Sequence, residues 1–115
     1  MAWVALTFVV SHQPVVAIPF GAPDYWAHAI NYAVLAVLLT WAIAGGDWSA
    51  ITLPIMLWAV MLSVVLGIGD EIHQSFVPGR NATMKDVVAD AAGACAAAGL
   101  IAMTVAWRRQ PTRPT

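Results

Sequence analysis

Three long apolar stretches, each closed by a short polar or glycine-rich interval, dominate the chain. Each is close to the roughly 20 residues that a bilayer core requires of a helix. The first runs from about Trp26 to Ala44 and stops at Gly45-Gly46-Asp47, a turn signal. The next runs from about Ile51 to Ile68, with Pro54 in its opening turn, where a missing N–H breaks no helical hydrogen bond. The last runs from about Val87 to Trp107 and meets Arg108-Arg109, whose guanidinium groups suit the headgroup region. Ahead of these, Met1–Val10 is apolar but too short to span alone, and Ser11-His12-Gln13-Pro14 interrupts it before Val15–Phe20 resumes. We read Met1 to about His12 as a short or truncated spanning helix, followed by a loop that touches the interface. A re-entrant or interfacial segment is the other reading of that stretch. The expected fold is all-α, a small polytopic membrane helix bundle of about four transmembrane helices. Residues 1–107 form its domain, and 108–115 a short, basic, disordered tail.

Composition supports lipid as the solvent. Of 115 residues, 61% are hydrophobic and 10% charged, with a mean hydropathy of +0.77. A soluble domain carries about 25% charged residues, so this chain has too few to cover a water-facing surface. A net charge of −1 argues neither for nor against an anionic partner, and no nucleic-acid partner is expected. Cys95 is the single cysteine, which excludes an intrachain disulfide, and its alanine surroundings read as small-residue packing. No basic region precedes the first apolar stretch, so a cleaved signal peptide is not expected. Arg108, Arg109 and Arg113 follow the last span while Arg80 and Lys85 precede it, which favours a cytoplasmic C-terminus. Four spans would then put the N-terminus in the cytoplasm too, and the Arg80 loop outside.

The polar residues converge whatever the orientation. Asp24 and His28 open one span, Asp70 to Gln74 close the next, and Arg80 to Asp90 lead into the last. In an up-and-down bundle these ends share a side, and Ser11, His12 and Gln13 fall there as well. Asp24, His28 and Tyr32 recur at i, i+4, i+8, one helical stripe. Asp70, His73 and Gln74 share a face by i+3 and i+4, with Glu71 pointing elsewhere. Asp86 and Asp90 form an i, i+4 pair whose stripe continues into Gly93, Ala94 and Ala97, small residues that let helices approach closely. Ionisable groups within spans face the bundle interior or a wet cavity. Five carboxylates (Asp24, Asp70, Glu71, Asp86, Asp90) meet two fixed bases (Arg80, Lys85), so three need protonation, hydrogen bonds, a metal or a cationic ligand.

Several chemistries fit that set. Carboxylate and imidazole from separate helices, with Asp70, His73 and His28 as the candidates, could hold a divalent metal. The spacing matches no H-E-x-x-H motif. Arg80 could grip a phosphate bidentately, or pair with Asp70, Asp86 or Asp90. Thr83 and Asp86 have the spacing of a capping box, which Asp90, one turn deeper, does not share. His28 with Tyr32 reads as an acid/base pair or an interhelical hydrogen bond, and His12 as a loop residue. Trp3, Trp26, Trp48 and Trp107 near the helix ends form an interfacial belt, with Trp41 and Trp58 facing lipid or packing.

The run Asp70-Glu71-Ile72-His73-Gln74-Ser75-Phe76-Val77-Pro78-Gly79-Arg80, followed by Thr83, Asp86, Asp90 and Gly93, resembles the signature of the VanZ-like membrane proteins. Ser11, Gln13-Pro14 and the Asp24, His28, Tyr32 stripe are similar to that family's earlier block. The chain departs from the pattern at Tyr25, where the family usually has Lys, at Asp90, where it usually has Asn, and at Ala97, often Gly. The Tyr25 and Asp90 changes make the cluster more acidic, and the short first helix points to a missing N-terminus. The resemblance implies a small bacterial cytoplasmic-membrane protein of about four spans, with a founding member associated with resistance to teicoplanin-type glycopeptides.

The leading expectation is an envelope protein that binds a lipid-linked precursor or headgroup at the extracytoplasmic face. Its ligand-binding set is Asp24, His28, Tyr32, Asp70, Glu71, His73, Gln74, Arg80, Asp86 and Asp90. The rival is a membrane-embedded hydrolase or transferase, with His73 or His28 as general base and Asp70 orienting it or sharing a metal. A third reading has the polar cluster only locking helix packing.

Overall fold

In a bilayer every backbone polar group must find its partner inside the protein, and a helix does this within one segment. The computed structural model describes residues 1–13, 21 and 24–111. They form α1 (Ala2–Ser11), α2 (Asp24–Ile43), α3 (Leu53–Ser75) and α4 (Met84–Arg108), with a 3-10 turn at Trp48–Ala50. The three later helices are long and apolar enough to cross a membrane. α1 has 10 residues, about 15 Å of axis, or half a hydrocarbon core. The expected interfacial loop over 14–20 and the disordered tail with Arg113 lie outside the described residues.

The helices end where the sequence dictates, with one exception. Gly45 and Gly46 adopt φ +69° and +81° after α2, a left-handed turn that a side chain would strain. Asp47 then caps the 3-10 turn, accepting from the Ser49 backbone N–H at 2.8 Å and from its hydroxyl at 2.7 Å. Those two bonds hold the Asp47 carboxyl below the usual carboxylate range. Pro54 sits in the first turn of α3. The exception is the far end of α3, which continues past Ile68 to Ser75 and keeps Asp70–Gln74 helical. Polar side chains with partners across the bundle do not interrupt a helix, so the polar run is its last two turns. Gly79, at φ +82°, closes the turn toward α4.

α2, α3 and α4 pack on one another, and α1 lies against α2 and α3. Small residues set the spacing. Ala36, Ala94 and Ala97 form one buried cluster with Ala33, Val37 and Val60 against it. A Cβ built on Gly93 would fall 2.0 Å from the carbonyl oxygen of Ala29, so α2 and α4 meet backbone to backbone there. Ala44, Ile51, Met56 and Ile101 pack at the opposite end, where Arg109 donates to the Ile51 carbonyl at 3.1 Å.

The outer surface is apolar, with Leu57, Val65, Leu100 and Met103 exposed as lipid-facing residues are. Trp41 and Trp58 are exposed too, and join that surface. Cys95, expected to pack, is instead exposed. It is one and two residues from Ala94 and Gly93, which turns it away from their buried face. Trp3 is also placed differently from a belt residue. It lies on α1 roughly 12 Å along the axis from Ser11, half-buried against the bundle, with its indole nitrogen enclosed.

Candidate functional site

The end of α1, the start of α2, the end of α3 and the start of α4 come together, and their polar side chains form two connected networks. In the first, Asp70 of α3 accepts from the Ser11 hydroxyl at 2.9 Å and from the Gln74 amide at 3.2 Å. The Gln74 amide nitrogen also reaches the Ser11 oxygen at 3.4 Å. Arg80 donates to the Gln74 carbonyl oxygen at 2.8 Å. Asp70 and Gln74, four residues apart on one helical face, are each 1% exposed.

The second network joins α2, α3 and α4. His28 Nδ1 and Asp90 Oδ1 form a hydrogen bond of 3.0 Å, and Glu71 Oε1 lies 3.9 Å from the same nitrogen. The other Glu71 oxygen accepts from the Thr83 backbone N–H at 3.0 Å, and the Thr83 hydroxyl donates to Asp86 at 2.9 Å. Gly67 leaves the space for Asp90, since a Cβ there would meet its Oδ2 at 2.7 Å. Tyr32, next on the Asp24, His28 stripe, is buried with its hydroxyl enclosed and unbonded among the described residues.

Glu71 turns away from the Asp70 face and into the bundle, and three other expectations change. The capping box does not form: Glu71 takes the Thr83 N–H that Asp86 would have accepted, and the Thr83 hydroxyl bonds the Asp86 carboxylate instead of its backbone N–H. Arg80 bonds an amide instead of Asp70, Asp86 or Asp90. His12, expected in a loop, follows the last turn of α1 and lies 3.3 Å from His73, nitrogen to nitrogen, with Phe8 edge-on to the His73 ring.

The expected metal set is not assembled. His73 is turned toward His12, Asp70 toward Ser11 and Gln74, and His28 toward Asp90. Three residues on from Asp70, His73 is rotated about 60° around α3, enough to reach the flank of α1 instead of the interior. Among the described residues, the group that offers three ligand atoms within 4.8 Å of one another is Asp24, His28 and Asp86. Asp24 is its exposed member.

The charge imbalance read from the sequence is sharper in space. Asp70, Glu71, Asp86 and Asp90 are all buried. Among the described residues, the basic side chain within 4.0 Å of a carboxylate is that of His28. Asp70 Oδ1, Glu71 Oε1 and Asp90 Oδ2 are enclosed, with no hydrogen-bond partner among the described residues.

A cavity of about 240 Å³ opens between α1, α2 and the end of α3. Its lining combines apolar Leu6, Val10 and Ala27 with polar Asp24, His28, Asp70, Gln74 and Arg80. Thr7 and Asn31, bonded to each other at 3.2 Å, also line it. Sequence reasoning missed this pair. Thr7 is four residues before Ser11 and Asn31 three after His28, so both follow the helical spacing of residues it did select.

The VanZ/LLP1 family model matches residues 1–106. The chain belongs to the VanZ/LLP1 family. No curated protein and no solved structure matches it. The two VanZ-pattern departures thought to add acidity behave differently. Asp90 sits in the centre of the second network, whereas Tyr25 is exposed and leans on Trp26 with ring centroids 5.9 Å apart.

Proposed function

We propose that this VanZ/LLP1 membrane protein binds the polar end of a phosphate-bearing lipid, a lipid-linked envelope precursor or a phospholipid headgroup, in the cavity between α1, α2 and α3. The observation that carries this reading is the mixed lining: apolar Leu6, Val10 and Ala27 together with Arg80 and carboxylates. A molecule that satisfies both kinds of lining is an amphiphile. One N–H of the Arg80 guanidinium is committed to Gln74, which fixes the fork and leaves its other donors for a phosphate. The excess carboxylate accommodates an amine on the same headgroup. With Arg108 and Arg109 on the cytoplasmic side, the cavity faces outward from a bacterial cytoplasmic membrane, and glycopeptide tolerance is the phenotype that would follow from ligand capture there.

Arg80→Ala tests the reading. A lost charge-assisted bond is worth about 1.5–3 kcal/mol, so phosphate-lipid retention should fall by roughly 10- to 100-fold. Mass spectrometry of lipids retained by purified protein reports it, with His12→Ala as a variant outside the cavity that keeps wild-type retention. Equal retention by Arg80→Ala and wild type would end the proposal.

A membrane-embedded hydrolase or transferase is the second reading, favoured by the His28–Asp90 bond. A carboxylate that fixes one ring nitrogen prepares the other to act as a general base. Here Asp90 takes the orienting role expected of Asp70, and His28 rather than His73 is the base. Turnover of a labelled lipid precursor, lost in His28→Gln, separates this reading from binding alone.

A further inference from the structure

We propose a divalent-cation site formed by Asp24, His28 and Asp86, with Asp90 as the positioning residue behind the imidazole. The three side chains come from two helices, and each presents a ligand atom within 4.8 Å of the other two. Helix dipoles account for a carboxylate in the first turn of α2 and another in the first turn of α4. They do not account for both converging on a buried imidazole. The His28 Nδ1 hydrogen bond to Asp90 leaves Nε2 as the ligating nitrogen. Metal-bound histidines commonly hold a carboxylate in this way, which fixes tautomer and ring orientation.

An independent observation comes from α3. Glu71 is 7% exposed, its Oε1 has no hydrogen-bond partner among the described residues, and that oxygen lies 3.9 Å from His28 Nδ1, beside Asp90. A buried carboxylate oxygen without a partner is costly, and a dication bound at His28 offsets the negative charge of Glu71, Asp86 and Asp90 together. One imidazole with two carboxylates selects a first-row divalent ion such as Mn²⁺ or Zn²⁺ over Mg²⁺ or Ca²⁺, which prefer all-oxygen shells. Exposed Asp24 leaves one side of the site open to water. The site shares Asp24 and His28 with the lipid cavity, but Asp86 does not line that cavity and Arg80 is not a ligand, so variants at Asp86 and Arg80 tell the two apart.

The experiment is an Mn²⁺ titration of the purified, chelator-stripped full chain in detergent, following the paramagnetic resonance signal of free Mn²⁺. We expect saturable binding of one ion per chain, displaced by Zn²⁺ at far lower concentration than by Mg²⁺. Asp24→Asn and Asp86→Asn should each weaken it at least tenfold, and Asp90→Asn by roughly 10- to 100-fold, as for other carboxylates behind a ligating histidine. Arg80→Ala should leave Mn²⁺ binding intact while losing phosphate lipid, so the two proposals fail separately. Circular dichroism checks that each variant is folded, and exposed Asp24 supplies a substitution outside the core if Asp86→Asn does not fold. The site is overturned by no saturable Mn²⁺ binding to folded wild type, by undiminished affinity in Asp24→Asn, or by Mg²⁺ competing as well as Zn²⁺.

Discussion

Gly93→Ala should be among the most destabilising single substitutions in the chain, lowering stability by roughly 3 kcal/mol or more, the upper end of overpacking costs. The added Cβ would meet the Ala29 carbonyl oxygen at 2.0 Å, its carbon at 2.8 Å and its Cα at 2.9 Å. All three are helical backbone atoms, so no rotamer change relieves the contact and α2 must move away from α4. Ala94 and Ala97, buried on the same face of α4, would lose their packing against α2 with it. Because His28 directly precedes Ala29, the same displacement would pull the imidazole off Asp90. Gly99→Ala is the matched control, since nothing lies within 4 Å of its added Cβ. There the better helix propensity of alanine should leave stability equal or slightly higher. Unfolding of purified protein with increasing SDS, followed by circular dichroism, measures both. Coincident transitions for Gly93→Ala and wild type would show that the helices have room to part.

The close approach of α4 was legible in the sequence because helical periodicity is enough to place Asp86, Asp90, Gly93, Ala94 and Ala97 on one face. Gathering the polar groups at one end was legible for a similarly simple reason. Consecutive spanning helices alternate in direction, which fixes which termini meet. Pairing was not legible, because it depends on the rotation of each helix and on the reach of each side chain. Arg80 is six residues from Gln74, and only the geometry of the Pro78-Gly79 turn decides that its guanidinium meets the amide and not Asp70. Likewise Glu71 captures the Thr83 N–H from another helix, a competitor that a local capping motif cannot reveal. Cys95 is a different case. Residue size suggested packing, but its phase relative to Gly93 and Ala94 already pointed it outward, and phase decided.

Three buried carboxylates around a single imidazole, Glu71, Asp86 and Asp90 about His28, also bear on the reading in which the cluster only locks the helices together. A site kept for packing alone gains little from charge, because well-packed apolar residues usually serve as well or better than a buried ion pair. Unbonded oxygens on Asp70, Glu71 and Asp90 add to that cost. Such an arrangement is more economically explained by something that visits the site, a headgroup or a cation, than by the resting bundle.

His28→Leu is expected to destabilise the protein by roughly 3–5 kcal/mol, the cost of removing the partner of a buried charge and leaving that charge unpaired. Asp90 would lose its 3.0 Å partner, and Glu71 the basic group 3.9 Å from its free oxygen. Asp90→Asn is expected to be much milder, within about 1 kcal/mol, because a carboxamide oxygen still accepts from Nδ1 and Asn is the residue the family pattern usually has there. The decisive variant is His28→Leu with Asp90→Leu. Removing both partners abolishes the stranded charge, so the double variant should be more stable than His28→Leu alone, with a coupling of roughly 1–3 kcal/mol. SDS unfolding of the four proteins closes the cycle. Additive losses would mean that His28 and Asp90 contribute independently, and the pair would then have no role in holding α2 to α4. Strong coupling together with wild-type phosphate-lipid retention in Asp90→Asn would separate the pair's structural part from the ligand chemistry at Arg80.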